Sequence, residues 1–391
     1  YGSVVLDPFC GSGTTMLESY LNGFKGYGAD MNPLGAMIAR AKTRILDVEP
    51  DVVTEVVSSL LESIDAAPSR LPEKYSEFNP DCLEEIDRWF APPVAQKINW
   101  LLRLIRRVSA GALREFLEVI LSSIIRDVSQ QDPSDLRIRY RKEWIEDADV
   151  FGLFQKQLRA QLERVEKFWR IRGYSPNRFY GATVVEGDSR KFGTFAGMGL
   201  MENSVDLVLT SPPYATALPY IDTDRLSMLT ILGIPSSGRR PLEQGLIGSR
   251  EIKISQKKLL EARISDCEEL PNDAVKFVAE LLEQVRRANV GFRKENMPTL
   301  LLRFFIDMHH VLVNTYKLLK PGAEAMIVIG DNRIELDKEI RIPTTELIDS
   351  IAQHCGFSRV EKIDISVTTE NLVHIRNAIT ENVVLRLKKP T

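Results

Sequence analysis

The chain has 391 residues, with 51 Lys+Arg against 54 Asp+Glu, 44% hydrophobic and 27% charged, which excludes collagen-like, low-complexity and wholly disordered chains and suits one large domain with insertions, or two domains. No run approaches the roughly 18 apolar residues of a membrane span, and no signal-peptide pattern opens the sequence. The net charge of −3 weighs against a nucleic-acid partner unless positive charge is concentrated locally.

The chain begins at Tyr1 without an initiator Met, and the first element follows at once: a short apolar run from Ser3 to Phe9 with an acid near its end. Cys10-Gly-Ser-Gly-Thr-Thr15 and a helical pattern come next. That order predicts a buried strand, a tight glycine turn and a helix capped by Thr or Ser. Gly26–Asp30 predicts a second strand ending in an acid, and Asn32-Pro33 starts a helix through Lys42. Strand, helix, strand, helix is a βαβ beginning and hence a parallel sheet. From 50 to 180 apolar residues recur at helical spacing, predicting a helical insertion. Strands resume at Ala182–Asp188 and Ser204–Thr210, and a helix is expected near Asp224–Leu232. A Gly/Ser/Pro/Arg-rich stretch over 235–258 reads as a flexible loop within a second insertion, 235–299. The end is strand-rich, at Ala325–Gly330, Val360–Val367 and Asn382–Leu387, with a helix near Thr344–His354. The sheet is thus expected in three pieces, 1–49, 181–234 and 300–391, around two insertions.

Two segments carry chemistry. Asp7-Pro8-Phe9-Cys10-Gly11-Ser12-Gly13-Thr14-Thr15 places a Gly-rich turn between strand and helix, where a ligand can approach the backbone and meet helix N-terminal amides. It is not a P-loop, because no Lys follows Gly13, and Met16 stands where a dinucleotide fingerprint needs its third glycine. Ser211-Pro212-Pro213-Tyr214 follows the strand ending at Thr210. Two prolines cannot continue strand or helix and fix a rigid corner, at the strand end where open α/β sheets bind ligands. The corner offers a hydroxyl, free carbonyls and an aromatic face, an inventory suited to a planar base with an exocyclic amine.

Together these segments resemble the S-adenosyl-L-methionine-dependent amino-group DNA methyltransferases, especially the N4-cytosine type; Ser rather than Asp at position 211 tilts the likeness towards cytosine. The resemblance covers roughly half the chain and neither insertion. It implies a Rossmann-like class I methyltransferase sheet, interrupted by a helical insertion and a second, basic, loop-rich one. It also implies a cofactor held by the residues from Asp7 to Thr15, with Asp30 at the ribose position and Asp188 near the adenine amine. Ser211 and the Pro212 carbonyl would accept hydrogen bonds from the target amine, and Tyr214 would stack on the extruded base. The transfer is direct, in keeping with the absence of the Pro-Cys nucleophile of cytosine C5 methyltransferases. The family normally has a further cofactor-binding segment before the Gly-rich strand, so such a segment is expected to precede Tyr1 or to come from a companion chain.

Cys10, Cys82, Cys267 and Cys355 form no CxxC pair and read as reduced thiols of a cytoplasmic protein, with no zinc site. His309, His310 and His354 lack metal-ligand spacing, so no metal is expected. Locally the charge is uneven: 156–178 holds seven basic against two acidic side chains, 235–258 six against two, and 136–142 four basic residues with Tyr140 among them and Trp144 nearby. The first reads as the solvated face of an amphipathic helix. The other two nominate Arg137, Arg139, Arg141, Arg239, Arg240, Arg250 and Lys253 as contacts to double-stranded DNA, with 50–180 a candidate recognition region. The leading expectation is a DNA methyltransferase of a restriction–modification or related system. The alternatives are adenine N6 methylation, methylation of an RNA base amine, and a catalytically silent nucleic-acid-binding subunit.

Overall fold

The computed structural model describes residues 2–134, 139–172, 181–215, 220–264, 266–288, 290–366 and 381–391. The chain opens with β1 (Val4–Asp7), α1 (Thr14–Leu21), β2 (Lys25–Asp30) and α2 (Pro33–Arg44). The segment up to residue 172 is then helical, with α3 (Pro50–Asp65), α4 (Leu83–Trp89), α5 (Pro92–Arg107), α6 (Ala112–Ile125) and α7 (Val150–Arg172). The sheet resumes with β3 (Ala182–Glu186), α8 (Phe192–Gly197) and β4 (Val205–Thr210). Helices α9 (Tyr220–Thr230), α10 (Ser236–Gly245), α11 (Ile254–Arg263), α12 (Asn272–Arg287), α13 (Phe292–Glu295) and α14 (Met297–Leu318) follow. The chain ends in β5 (Leu319–Ile329), the pair β6 (Asn332–Glu335) and β7 (Glu339–Ile342), α15 (Thr344–His354), β8 (Ser358–Ser366) and β9 (Glu381–Lys388).

The main sheet has the order β3-β2-β1-β4-β5-β9-β8. The first five strands are mutually parallel, and β9 runs antiparallel to both its neighbours. This is the open, mostly parallel, Rossmann-like sheet that the two motifs imply. From β1 the chain winds outward to β2 and β3, then returns to lay β4 against the other side of β1. The order therefore reverses at β1 and β4, the position where open α/β sheets form a ligand crevice.

Apolar side chains fall into two large layers. Helices α3 to α7 and α9 pack with α2 around Leu34, Trp89, Ile98 and Leu117. Helices α11, α12, α14 and α15 cover the other face around Leu6, Val208, Phe305 and Leu387. Glu115 on α6 ties the helical insertion to the core by accepting from Arg40 on α2 at 2.6 Å. Two expectations need correcting. The stretch 235–258 is largely helical, because Arg239 on α10 is buried against Glu85 of α4 and anchors the segment. Helix α1 opens on Gly13, with no side-chain cap, so neither Thr14 nor Thr15 caps it.

Candidate functional site

The two motifs meet where the sheet reverses. Leu6 pairs with Val208 across β1 and β4, and one step further the Thr210 hydroxyl donates to Asp7 Oδ1 at 2.6 Å. Asp7 also accepts from the Phe9 amide at 3.0 Å and bonds the Thr15 hydroxyl. One buried carboxylate thus joins the start of the glycine turn, the start of α1 and the strand end that carries Ser211-Pro212-Pro213-Tyr214. Burial raises its pKa from 3.8 to about 6, against the pull of its hydroxyl and amide donors. A carboxyl group whose folded pKa exceeds its unfolded one favours the fold most at low pH, and that advantage is lost as pH rises through the folded value. Stability attributable to Asp7 therefore falls by about 2 kcal/mol between pH 4 and 6, out of roughly 3 kcal/mol over the whole titration. Urea unfolding across that range should show the wild-type minus Asp7→Asn difference falling with pH; a flat difference would refute the assignment.

The glycine turn needs its glycines. Gly11 and Gly13 have φ of +48° and +82°, a region costly for other residues. A Cβ on Gly13 would stand 2.6 Å from that of Ala39 on α2, whereas one on Gly11 would meet nothing within 4 Å. The turn is thus pressed against α2 on one side and open on the other. Cys10 and Pro8 are buried, Phe9 is half-buried and Ser12 and Thr14 are exposed. Burial pushes the Cys10 thiol far above its ordinary pKa, which fits packing and not nucleophilic chemistry.

Asp30, at the end of β2, holds this turn. Its Oδ2 accepts from the Gly11 amide and its Oδ1 from the Asn32 amide, each at 2.8 Å. Burial raises its pKa and the two amides oppose that. Asp188 is near, since the following turn of chain bonds back through the Gly187 amide to the Asp30 carbonyl at 2.9 Å. Both Asp188 oxygens, however, are gripped by the Arg190 fork, at 2.8 and 3.0 Å. Asp188 is first of all an ion-pair partner. Arg190 goes on to Asp307 on α14 at 2.9 Å and to the Gly245 carbonyl at 2.9 Å.

The corner after β4 leaves Ser211 exposed, Pro212 buried, and Pro213 and Tyr214 half-buried. Distant segments brace it. The Tyr214 hydroxyl lies 3.1 Å from Nδ2 and 3.2 Å from Oδ1 of Asn382, at the start of β9. Asn332 donates to the Ala215 carbonyl. Gly248, at φ +78°, passes so close that a Cβ would sit 2.7 Å from the Tyr214 carbonyl oxygen. Arg303 on α14 holds that passing strand of chain by donating to the Ser249 and Glu251 carbonyls.

The nominated DNA contacts divide. Arg240, Arg250 and Lys253 lie on the surface, as does Arg139. Arg239 is only 8% exposed and pairs with Glu85 at 2.5 Å, so its charge is turned inward and is not part of the exposed basic surface. Arg141 turns inward to the Ser129 and Asp127 carbonyls. Arg137 lies outside the described residues. Sequence reasoning missed Arg190, Asn332, Asn382 and Gly248, and also Lys42, which donates to the Ser12 carbonyl at 2.8 Å and covers the turn.

Fold and motifs together resemble the amino-group DNA methyltransferases in the class I sheet, in the turn after its first strand and in the Ser-Pro-Pro-Tyr corner. The chain is 24% identical over 359 residues to the Type II methyltransferase M.MvaI of Kocuria varians, covering 88% of this chain and 73% of that one. It is 22% identical over 393 residues to the Type II methyltransferase M.BsoBI of Geobacillus stearothermophilus, covering 92% and 74%. Among solved structures, a putative DNA modification methylase from Thermus thermophilus aligns at 18% identity and a TM-score of 0.26, over 52% of each chain. No family model matches the chain.

Proposed function

We propose that this protein is a DNA methyltransferase that moves a methyl group from S-adenosyl-L-methionine to an exocyclic amine of an extruded base, most of all cytosine N4. The observation that carries the reading is the Thr210–Asp7 bond, which brings the open glycine turn and the Ser-Pro-Pro-Tyr corner to neighbouring strand ends. Two Type II methyltransferases, each matched over most of both chains, support it.

The residues present suit the cofactor. The turn has an open side at Gly11, and Asp30 is a carboxylate at a strand end, the usual acceptor for ribose hydroxyls. Residues Asp7 to Thr15 and Asp30 would hold it, and when bound it supplies an electrophilic methyl group on sulfur. The protein's part is positional and electrostatic. The Ser211 hydroxyl and the Pro212 carbonyl accept from the amine and aim its lone pair. Tyr214 holds the ring. Arg240, Arg250 and Lys253 contact the phosphate backbone.

Incubation with methyl-labelled cofactor and unmodified plasmid DNA, followed by nucleoside mass spectrometry, should yield N4-methylcytosine. N6-methyladenine would reassign the base and keep the enzyme class, while label entering RNA alone would overturn the reading.

Asn382 supplies a finer test, because it touches the Tyr214 hydroxyl and not the cofactor turn. Loss of one hydrogen bond costs about 1 kcal/mol, or roughly fivefold. Asn382→Ala should lower kcat/KM for DNA by that factor with cofactor affinity unchanged. Tyr214→Phe should do the same, and the double variant should be no worse than either single one. Additive losses would show that Asn382 acts elsewhere.

A further inference from the structure

Away from the two motifs, a three-layer stack joins the helical insertion to α9. The Arg225 guanidinium carbon lies 3.9 Å from the Trp89 ring centre. The Tyr140 ring lies 4.5 Å from Trp89, tilted by only 12°. Both cannot occupy one face of the indole at those distances, so Trp89 is sandwiched between them. The order outward is Arg225, Trp89, Tyr140.

The inner layers are buried, Arg225 at 7% and Trp89 at 5% exposure, while Tyr140 is 49% exposed. Tyr140 therefore turns a flat aromatic face outward. Burial lowers the Arg225 pKa to about 10. Among the described residues no carboxylate comes within ion-pair distance of Arg225, and its Nε has no hydrogen-bond partner. The Gln131 amide nitrogen, buried beside it, also lacks a partner. A buried guanidinium without a carboxylate is costly, and what offsets it here is the indole face and a 3.4 Å hydrogen bond donated to Gln131 Oε1.

The loop that presents Tyr140 is fixed at its base. Gln130 donates from its side chain to the Ile145 carbonyl at 2.5 Å and accepts from the Ile145 amide at 3.1 Å. Gln131 and Tyr140 form a backbone bridge. Arg139 and Lys142, one and two positions from Tyr140 in sequence, are exposed, and Trp144 is 58% exposed. A pinned loop that holds aromatic faces among cations in water has the composition of a nucleobase-stacking platform. One helix links the stack to the Ser-Pro-Pro-Tyr corner. Helix α9 begins at Tyr220, hydrogen-bonded to the Tyr214 backbone, and Arg225 follows about one and a half turns later.

We infer that Tyr140, backed by Trp89 and Arg225, is a stacking platform for a nucleobase of the substrate DNA, one whose face is uncovered when the target nucleotide leaves the duplex. The inference rests on the proposed function. Extruding a base leaves its neighbours and its partner with open faces, and an aromatic ring held flat can cover one of them. The cationic layer beneath strengthens the platform by polarising the indole, and the surface cations neutralise phosphate.

The test compares wild type, Tyr140→Ala and Tyr140→Phe by fluorescence anisotropy on a labelled duplex carrying one central mismatch, with cofactor binding measured by calorimetry. Tyr140→Ala should bind the duplex about tenfold more weakly, with unchanged cofactor affinity and an unchanged slope of affinity against salt, since no phosphate contact is lost. Tyr140→Phe should bind as wild type does. Tyr140→Ala binding within twofold of wild type overturns the platform, and so does a loss that Phe fails to restore or that appears on RNA alone. If wild type itself neither binds the duplex nor methylates DNA, it is the proposed function that falls.

Discussion

Replacing Asp30 by alanine should lower affinity for S-adenosyl-L-methionine by about a hundredfold, equivalent to roughly 2.7 kcal/mol, and should also destabilise the protein. The two effects share one cause. Each oxygen of Asp30 already satisfies a backbone amide, Gly11 on one side and Asn32 on the other. The first amide belongs to the cofactor turn and the second to the cap of α2. Removing the carboxylate strands both donors, at about 1.5–3 kcal/mol for each charge-assisted bond. It also removes the acceptor that the proposed function assigns to the ribose. Asp30→Asn keeps one oxygen but sets an amide nitrogen against one of the donors, so its stability should fall between the other two. Calorimetry with the cofactor and urea unfolding measure the pair. Unchanged cofactor affinity in Asp30→Ala, with the fold intact, would remove Asp30 from the site.

That carboxylate was legible in the sequence because its partners are local. The run from Val4 to Asp30 contains strand, turn, helix and strand within one βαβ unit, so apolar patterning and glycine placement specify it almost unaided. The same holds for the rigid corner at Ser211–Tyr214, whose prolines act on their own backbone. What escaped is long-range. Arg239 reads as a surface cation in a Gly/Pro-rich stretch, yet its partner Glu85 lies 154 positions away, and only the packed structure reveals that the charge is buried. Asn382 is 168 positions from Tyr214, and no local pattern marks an asparagine at a strand start as the brace of a distant ring. The hairpin β6–β7 was missed for another reason. Strand β7 alternates charge with isoleucine and β6 holds a single isoleucine, over only four positions per strand, too short for period-two patterning to stand out. Asp188, placed near the adenine amine by the resemblance alone, forms an ion pair with a residue only two positions on.

Tyr214→Ala should leave cofactor binding at the wild-type level and weaken capture of DNA by about tenfold to a hundredfold, the effect of one lost base stack of roughly 1–3 kcal/mol. The contrast with Asp30 follows from where each side chain is anchored. Asp30 is bonded into the turn after β1, whereas the Tyr214 ring is held through its hydroxyl by β9 and its carbonyl is closely passed by Gly248. Neither brace touches the residues from Asp7 to Thr15. The corner and the turn meet at Asp7 and Thr210, whose bond involves no atom of Tyr214. Truncating the ring therefore removes a stacking face without loosening the turn. Tyr214→Phe separates the two contributions of the residue: the face remains, the tether to Asn382 goes, and the loss should shrink to about fivefold. Steady-state methylation with varied DNA and varied cofactor reads both effects, as a raised KM for DNA beside an unchanged KM for cofactor. Equal loss of both substrates in Tyr214→Ala would mean that the ring supports the whole crevice, and the division of labour between the two strand ends would have to be abandoned.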